Sequence, residues 1–352
     1  MNSPFRHRIK KIGLPPGTML PFPKISPVKI SVIDYDPTTF IEKNNVTEEE
    51  CLAYLKSPAI TWIDVRGTSD VQMIQKIGTR FGLHPLLLED IVTLEQRPKL
   101  DDYKDSIFIV ARRLNLDPNT NKIHDEQISI VLGKDFLISF QEGLDDFFDP
   151  IKARLRKDNA SMRQMGPDYL AYSLIDMIVD NWFLILEKID QNLLQLEEEL
   201  LNSPKTATLY RIQVAKRDII ILRKSVWPMR EVVSQFRRIE THLIQDITKF
   251  YMHDVYDHTI QAIDTIESFR DLAASMLEIY LSNINQRLNE IIKFLTMISA
   301  IFAPLMFITG FYGMNFSYFP LIHSVWGLPF AVVIMLAMTA GMLHYFRKRK
   351  WI

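Results

Sequence analysis

Two apolar segments near the C-terminus dominate the pattern of hydrophobic and polar positions. Residues 294–312 contain nineteen positions without Asp, Glu, Lys or Arg, and residues 325–346 contain twenty-two. An α-helix rises about 1.5 Å per residue, so either segment could cross a hydrocarbon core of about 30 Å. The pattern therefore predicts two transmembrane helices, joined by an uncharged link at residues 313–324.

Upstream of residue 166, short runs rich in β-branched and aromatic residues alternate with helical patterns. The runs are typical of strands and lie at residues 28–35, 60–65, 107–114, 127–132 and 136–140. The helical patterns lie at residues 48–55, 70–81 and 85–92. Turn-forming residues at 117–121 make the strands on either side an expected antiparallel pair. This part predicts an α/β domain with a mixed sheet.

Between Gly166 and Gly310 the chain contains no glycine. A continuous polar–apolar pattern without breakers predicts long helices, two of them at residues 169–201 and 205–239. A third begins near residue 249 and runs into the first apolar segment, which would make it about 95 Å long. These helices could be a plain coiled-coil stalk, or a rigid connection that transmits cytoplasmic changes to the membrane.

Charge sets the expected orientation. Four consecutive cations at residues 347–350 follow the second apolar segment, and the link carries none. The positive-inside rule places this tail in the cytoplasm, and two spans return the N-terminal domain to the same side. The net charge of −1 gives no electrostatic case for nucleic acid as a partner. We expect a multi-pass protein of the cell (inner) membrane with both termini cytoplasmic.

These patterns divide the chain into seven predicted segments. They are a cytoplasmic α/β domain (1–166), a cytoplasmic helical hairpin (167–248), a stalk helix (249–293), a first transmembrane helix (294–312), an external loop (313–324), a second transmembrane helix (325–346) and a basic cytoplasmic tail (347–352). The fold class is an α+β membrane protein.

The first apolar helix is the better candidate to line a pore. Two spans of one chain cannot enclose a polar path, so a pore requires several copies around an axis. Steps of three or four place eight residues on one helix face: Asn289, Ile292, Leu295, Ser299, Ala303, Met306, Gly310 and Gly313. We call these residues the stripe. It could equally be a seam for helix packing, and periodicity leaves both interpretations open.

The link between the two apolar segments contains an amide side chain, Asn315, and no carboxylate. Neither apolar segment contains Asp or Glu, and the link contains none. The carbonyl of Asn315 could hydrogen-bond to the water shell of magnesium, an ion that loses its waters reluctantly. An Asn after Gly-Met is also a common turn residue, so the residue type alone does not decide between these roles.

Several segments of this chain resemble the CorA family of magnesium/cobalt transporters. The sequence Tyr312-Gly-Met-Asn-Phe316, at the end of the first of two C-terminal spans, looks like the family signature. Other segments resemble the family in order and spacing: residues 82–90, 96–99, 168–176, 227–231 and 254–258. The resemblance covers essentially the whole chain, from Gly13 to Trp351.

The resemblance implies a homopentameric funnel in which the stalk helix becomes the inner pore helix. Gly313, Met314 and Asn315 would form the selectivity filter, with Asn315 in an outer ring that recognises hydrated ions. The other stripe residues would line the path, with Leu295 and Ile292 in an apolar constriction. The expected partners are other copies of the chain, the lipid bilayer and divalent cations.

The resemblance also implies intracellular magnesium sites. Asp90 would meet Asp254 of the partner subunit, with Glu89 and Asp176 as a nearby second site. Facing carboxylates repel each other, and a divalent cation between them forms a bridge. High internal magnesium would then keep the pore closed. Without the family, these residues would be read as surface acids on helices.

Three other features qualify these expectations. His253 with Asp257, and Asp254 with His258, form i,i+4 pairs that resemble a zinc-binding helix face, but a third ligand is lacking in the sequence. Many relatives carry acids in the link where this chain has Ser317 and Leu321. Met306 occupies a position where relatives can have a polar residue, so a second polar coordination point in the pore is not expected.

The favoured function is a passive uptake channel for magnesium, with cobalt and nickel as further cargo. No Walker A loop and no Asp-Lys-Thr-Gly sequence is present, so ATP drive is not expected. No nucleophile–base pair or organic cofactor motif indicates an enzyme. The alternatives are a zinc transporter of the same superfamily, against which Met314 argues, and a membrane-anchored cytosolic sensor.

Overall fold

A computed structural model describes most of the chain. The described residues are 13–19, 28–54, 57–94, 96–117, 122–157, 161–202, 205–314 and 324–351. They form two compact units, Met1–Ala274 and Ser275–Ile352, which are considered separately. The boundary between the units falls inside the longest helix.

The first unit contains a seven-stranded sheet. Its strands are β1 (Lys29–Tyr35), β2 (Phe40–Asn44), β3 (Ile60–Arg66), β4 (Lys99–Asp102), β5 (Ile107–Leu116), β6 (Ile123–Leu132) and β7 (Phe136–Gln141). They are arranged in the order β2-β1-β3-β7-β6-β5-β4. Only β3 and β7 pair in parallel; the other neighbours are antiparallel. The predicted mixed sheet and the β5–β6 antiparallel pair are confirmed.

The helices follow the predicted pattern closely. They are α1 (Glu48–Ala53), α2 (Val71–Arg80), α3 (Pro85–Val92), α4 (Asp149–Arg156), α5 (Pro167–Asn202), α6 (Thr206–Arg238), α7 (Asp246–Tyr312) and α8 (Gly327–Lys348), with a short 3-10 turn at Ser161–Gln164. The third long helix extends without a break into the first apolar segment, as predicted. The boundaries between cytoplasmic, membrane and external segments remain predictions.

Sequence reasoning missed three elements, β2, β4 and α4. Strands β2 and β4 are the two edges of the sheet and carry mostly polar residues. Charged residues on edge strands discourage pairing with other chains, and they also hide the apolar alternation by which strands are recognised. Helix α4 has only eight residues, too few for a clear helical period.

Three of the described helices, α5, α7 and α8, are long and apolar enough to cross a membrane. In α5, however, 56% of the apolar window is buried inside the protein, against 0% in α7 and 11% in α8. The fully buried Trp182 of α5 donates a hydrogen bond from its indole to the carbonyl of Arg112 on β5 at 3.0 Å. Helix α5 therefore packs on the sheet, and α7 and α8 remain the predicted spans.

A buried group of charged side chains connects α4 to the sheet. The ammonium of Lys152 is fully buried and lies 2.7 Å from a carboxylate oxygen of Asp64 and 2.7 Å from one of Asp146. Asp64, on β3, also accepts hydrogen bonds from Ser139 and Gln141 on β7, each at 2.7 Å. Arg66 adds a second cation, with its Nε 3.7 Å from Oδ2 of Asp64. The buried carboxylate is thus matched by two cations and two neutral donors, which offsets much of its desolvation cost.

We expect Lys152→Met to lower the free energy of unfolding by about 3 kcal/mol, because it removes the nearer of the two cations from the buried charge of Asp64 and leaves only the more distant Arg66. Thermal unfolding of the purified full-length protein measures this loss. The matched control is Lys134→Met, which replaces an exposed lysine in the turn between β6 and β7. Equal melting temperatures for the two variants would show that the buried pair contributes little.

Candidate functional site

Helix α3 presents Glu89 and Asp90 at its half-buried edge. The imidazole of His84 accepts a hydrogen bond from the backbone N–H of Leu86 at 3.2 Å, and Pro85 occupies the first helical position. Both features favour a helix start. The opposite side of the helix enters the core through Leu87, Leu88, Ile91 and Val92. This packing fixes where the two acids lie.

Both carboxylate oxygens of Asp90 have partners within the chain. The side-chain amide of Gln96 donates to Oδ1 at 2.6 Å, and the ammonium of Lys99 donates to Oδ2 at 2.8 Å. Lys99 also lies 2.5 Å from Oδ2 of Asp101. Burial lowers the pKa of Lys99, but its hydrogen bonds to Asp101 and Asp90 outweigh burial and raise it overall. The Asp90 site is therefore electrostatically compensated.

A second group of ligand-type side chains joins α5 to α7. Asp176 and Asp180 of α5 and His258 of α7 each place one ligand atom within 4.8 Å of the others. Burial, and next to it repulsion from Asp180, raise the pKa of the Asp176 carboxyl to about 6, while His258 acts in the opposite direction. We call these three residues the α5–α7 cluster. Asp176 is therefore a carboxylate whose charged form is disfavoured.

The predicted metal ligands fall into separate groups in the chain. Asp176 belongs to the α5–α7 cluster, and the exposed Asp254 is close enough to raise the pKa of Asp176. Asp90 belongs to the compensated group on α3, and its neighbour Glu89 accepts a hydrogen bond from the backbone N–H of Gly17 at 2.7 Å. A bridge from Asp90 to Asp254 of the partner subunit remains a prediction, as does a joint site of Glu89 and Asp176.

Sequence reasoning missed Asp180 and underrated His258. The face of α7 that carries Asp254 and His258 lacked a further ligand when only that helix was considered. The structure supplies the missing carboxylates from α5, across the helix–helix contact. Asp176 and Asp180 are four residues apart, a spacing that places both on one helix face. This spacing is the sequence signal for the cluster.

The stripe lies on one side of α7. All its members are exposed in the single chain: Asn289, Ile292, Leu295, Ser299, Ala303, Met306, Gly310 and Gly313. At about 100° per residue, the half-buried residues of the same segment centre on the opposite side: Met297, Ala300, Ile301, Pro304, Leu305, Ile308 and Tyr312. Phe294 and Ile298, outside the stripe, are also exposed. Exposure therefore shows that the stripe is uncovered, but not whether it faces water or lipid.

Helix α7 ends just before the predicted selectivity filter. The backbone N–H of Gly313 still donates to the last turn of the helix at 2.9 Å, and the Met314 side chain is 46% exposed. Asn315 lies outside the described residues, as do Ser317 and Leu321. The role of Asn315 therefore stays a prediction.

The other end of the stripe borders an open cleft of about 560 Å³. Asn289 and Ile292 line this cleft together with Trp351 from the end of the chain. The indole of Trp351 stacks on the ring of Phe346 with centroids 5.6 Å apart, and its backbone N–H donates to the Phe346 carbonyl at 3.0 Å. The basic tail thus lies beside the Asn289 end of the stripe.

Comparison with known proteins gives a consistent result. The family model described as CorA-like Mg2+ transporter protein matches residues 57–348. The cobalt/magnesium transport protein CorA of Thermotoga maritima is 42% identical over 343 residues, which cover 97% of this chain and 98% of that relative. The chain belongs to the CorA family. Its relatives are transport proteins and not enzymes.

The CorA fold is also supported by structural similarity. The complete structure of the CorA magnesium transporter from Methanocaldococcus jannaschii matches with a TM-score of 0.80 at 22% identity, covering 94% of this chain and all of that one. The cobalt/magnesium transport protein CorA of the same organism is 26% identical over 300 residues, which cover 83% of this chain and 92% of that relative. The family resemblance seen in the sequence is confirmed.

We expect Asp176→Asn to raise the melting temperature of this CorA chain at pH 7.5 in EDTA. The variant removes a charge that burial and Asp180 disfavour, and that charge destabilises the fold at any pH above the raised pKa of about 6. The difference should shrink as the pH falls below about 6, where Asp176 becomes protonated in the folded protein. Thermal unfolding of the detergent-solubilised protein at several pH values measures it.

The control is Asp190→Asn, which changes an exposed acid further along α5. It should alter the melting temperature little at any pH. A lower melting temperature for Asp176→Asn in EDTA at pH 7.5, or a difference that does not depend on pH, would contradict the proposed electrostatic cost at Asp176.

Proposed function

We propose that this CorA chain forms a homopentameric channel that takes up magnesium, with cobalt and nickel as further cargo. The observation that carries the proposal is the 42% identity, over 97% of the chain, to a protein described as a cobalt/magnesium transport protein. Magnesium would be both the transported ion and a regulator.

The permeation path would be formed by the stripe of five α7 helices. The stripe is uncovered in the single chain, while the opposite side of α7 is partly covered. Its small residues, Ser299, Ala303 and Gly310, leave room for a hydrated ion near an axis. Ile292 and Leu295 are 59% and 62% exposed in the single chain, and they would form the apolar constriction. The arrangement fits a central pore, with the remaining exposed surface facing lipid.

Selection would take place at Gly313, Met314 and Asn315. A ring of Asn315 carbonyl oxygens would accept hydrogen bonds from the water shell of magnesium, which is costly to remove. The link carries no carboxylates to concentrate cations, so selection would depend on this ring. An inside-negative potential of about 100 mV supplies about 4.6 kcal/mol for a divalent ion, so uptake needs no chemical energy source.

Intracellular magnesium would close the channel by binding between subunits. A cation shared by Asp90 and Asp254 of the partner subunit would hold neighbouring cytoplasmic domains together. The α5–α7 cluster would be a second place where a cation relieves carboxylate repulsion, and it includes the predicted ligand Asp176. Asp254 and Leu295 belong to the same helix, α7, so release of the bound cation could be transmitted along that helix to the constriction.

The proposed location is the cell (inner) membrane, with the N-terminal domain and the tail of four cations in the cytoplasm. In this arrangement α7 and α8 supply the two spans, and residues 313–324 face outside. Exposed apolar side chains along α8, such as Leu328, Val333 and Leu336, suit contact with lipid.

Asn315→Ala should abolish magnesium uptake into liposomes that contain the purified protein and a magnesium-sensitive dye. Loss of the amide ring removes the hydrogen bonds to the ion's water shell. The uptake is driven by an inside-negative potassium diffusion potential, without a pH gradient. The matched control is Ser317→Ala in the same link, which should keep wild-type uptake. Size-exclusion chromatography verifies that both variants keep the oligomer of the wild type.

Wild-type uptake by Asn315→Ala would remove Asn315 from selection while leaving the transport function intact. Failure of the wild type itself to take up magnesium under the potential would contradict the channel proposal. Parallel runs with cobalt and with zinc determine which ions the channel accepts.

Asp254→Lys should make uptake less sensitive to magnesium inside the liposome, because the lysine repels the cation that would bridge the subunits. We expect the half-inhibitory magnesium concentration to rise at least about tenfold, the equivalent of about 1.4 kcal/mol of lost binding. The control is Asp257→Lys, which changes an exposed acid on the same helix. Internal magnesium should inhibit uptake by this variant as it inhibits uptake by the wild type. Equal inhibition of both variants would count against the bridging site.

A further inference from the structure

The Asp90 carboxylate is already paired with a cationic side chain of the same chain, Lys99. The ammonium of Lys99 lies 2.8 Å from Oδ2 of Asp90, and the amide of Gln96 lies 2.6 Å from Oδ1. Both oxygens that could bind an external cation or its water shell are therefore engaged. The Asp90 side chain is only 17% exposed, so a new cation cannot approach without meeting these two donors.

Lys99 is held in place but has an alternative partner. It lies on the edge strand β4, and its ammonium is 5.7 Å from the centre of the Phe108 ring, within range of a cation–π contact. Asp101 is two residues further along the same strand, so both side chains project from one face. The ammonium lies 2.5 Å from Asp101 Oδ2. Lys99 thus bridges two carboxylates and can keep one when it loses the other.

We propose that Lys99 is a built-in competitor for the cation at Asp90 and sets the magnesium concentration at which the channel closes. The inference rests on the proposed function of Asp90 as a regulatory magnesium ligand. A divalent cation that approaches Asp90 is repelled by the ammonium and must take over an oxygen that Lys99 occupies. Asp101 lowers the cost of this exchange, because it keeps the displaced ammonium paired.

The proposed competition predicts that removing the charge of Lys99 and removing the charge of Asp101 shift the inhibitory magnesium concentration in opposite directions. Removal of the Lys99 charge leaves Asp90 open to magnesium, so inhibition should begin at a lower concentration. Removal of the Asp101 charge leaves Lys99 with Asp90 as its main carboxylate partner, so inhibition should require more magnesium. A lysine that only stabilised the fold would change the melting temperature without shifting the magnesium dependence in these directions.

The test measures cobalt uptake into liposomes with a cobalt-quenched dye at graded internal magnesium concentrations, using the full-length protein. We expect Lys99→Met to lower the half-inhibitory magnesium concentration about threefold, since a partly exposed charge pair such as Lys99–Asp90 contributes only modestly. Methionine keeps an apolar stem over Phe108 without the charge. Lys99→Arg restores the charge and should lie close to the wild type, and Asp101→Asn should raise the concentration.

The exposed Lys134→Met serves as the charge control and should match the wild type. A second readout without flux is the magnesium-induced rise in melting temperature, which should begin at a lower magnesium concentration in Lys99→Met than in the wild type. If Lys99→Met does not assemble, the opposite shift in Asp101→Asn and the wild-type behaviour of Lys99→Arg decide the question.

Failure of this inference is distinguishable from failure of the proposed site. If Asp90→Asn and Asp254→Lys lose inhibition while Lys99→Met and Asp101→Asn keep the wild-type midpoint, the magnesium site stands and Lys99 is not a competitor. If magnesium inhibits uptake by Asp90→Asn and Asp254→Lys as it does in the wild type, there is no regulatory site at Asp90, and the proposed role of Lys99 is then wrong as well.

Discussion

A divalent ion cannot cross the hydrocarbon core of a membrane without polar contacts, and two helices of one chain cannot surround it. This constraint makes several copies of α7 necessary for the proposed transport. The composition of α7 fits this requirement. Its residues 294–312 carry no charge, and the stripe, which has small residues in its middle and a polar residue at its Asn289 end, stays uncovered in the single chain. In the proposed channel, the uncharged link would leave ion selection to backbone and amide oxygens.

The first unit meets a different electrostatic problem, because it contains carboxylates that lie close to one another. The structure contains two solutions. At Asp90 the charge is matched internally by Lys99, whereas at Asp176 burial and Asp180 raise the pKa to about 6 and the charge remains costly. A cation would relieve the second arrangement directly and would have to compete in the first. Two sites with different apparent affinities would broaden the range of magnesium concentrations over which the channel responds.

The parts that sequence predicts are those governed by local periodicity. The strong apolar runs of β3 and β7 and the glycine-free pattern from Pro167 to Thr309 are examples, and the structure confirms them as strands and long helices. The edge strands β2 and β4 were not predicted, because edge strands carry polar and charged residues that discourage pairing with other chains and so lack the apolar alternation of inner strands.

The site was predictable only in part for a related reason. Asp176 was found through the family resemblance, and its four-residue spacing to Asp180 is a local signal, but His258 joins them only through contact between α5 and α7, which no local pattern encodes. The pairing of Asp90 with Lys99 likewise depends on where α3 packs beside β4. Pentamer geometry, the Asn315 ring and the span boundaries depend on several copies in a membrane and remain predictions.

The most direct measurement is the initial rate of magnesium uptake into liposomes as the inside-negative potential is increased at equal pH on both sides. We expect the rate to rise with the potential and to vanish when the potential is collapsed. Uptake that is absent at every potential, or that appears only with a proton gradient, would contradict a passive magnesium channel.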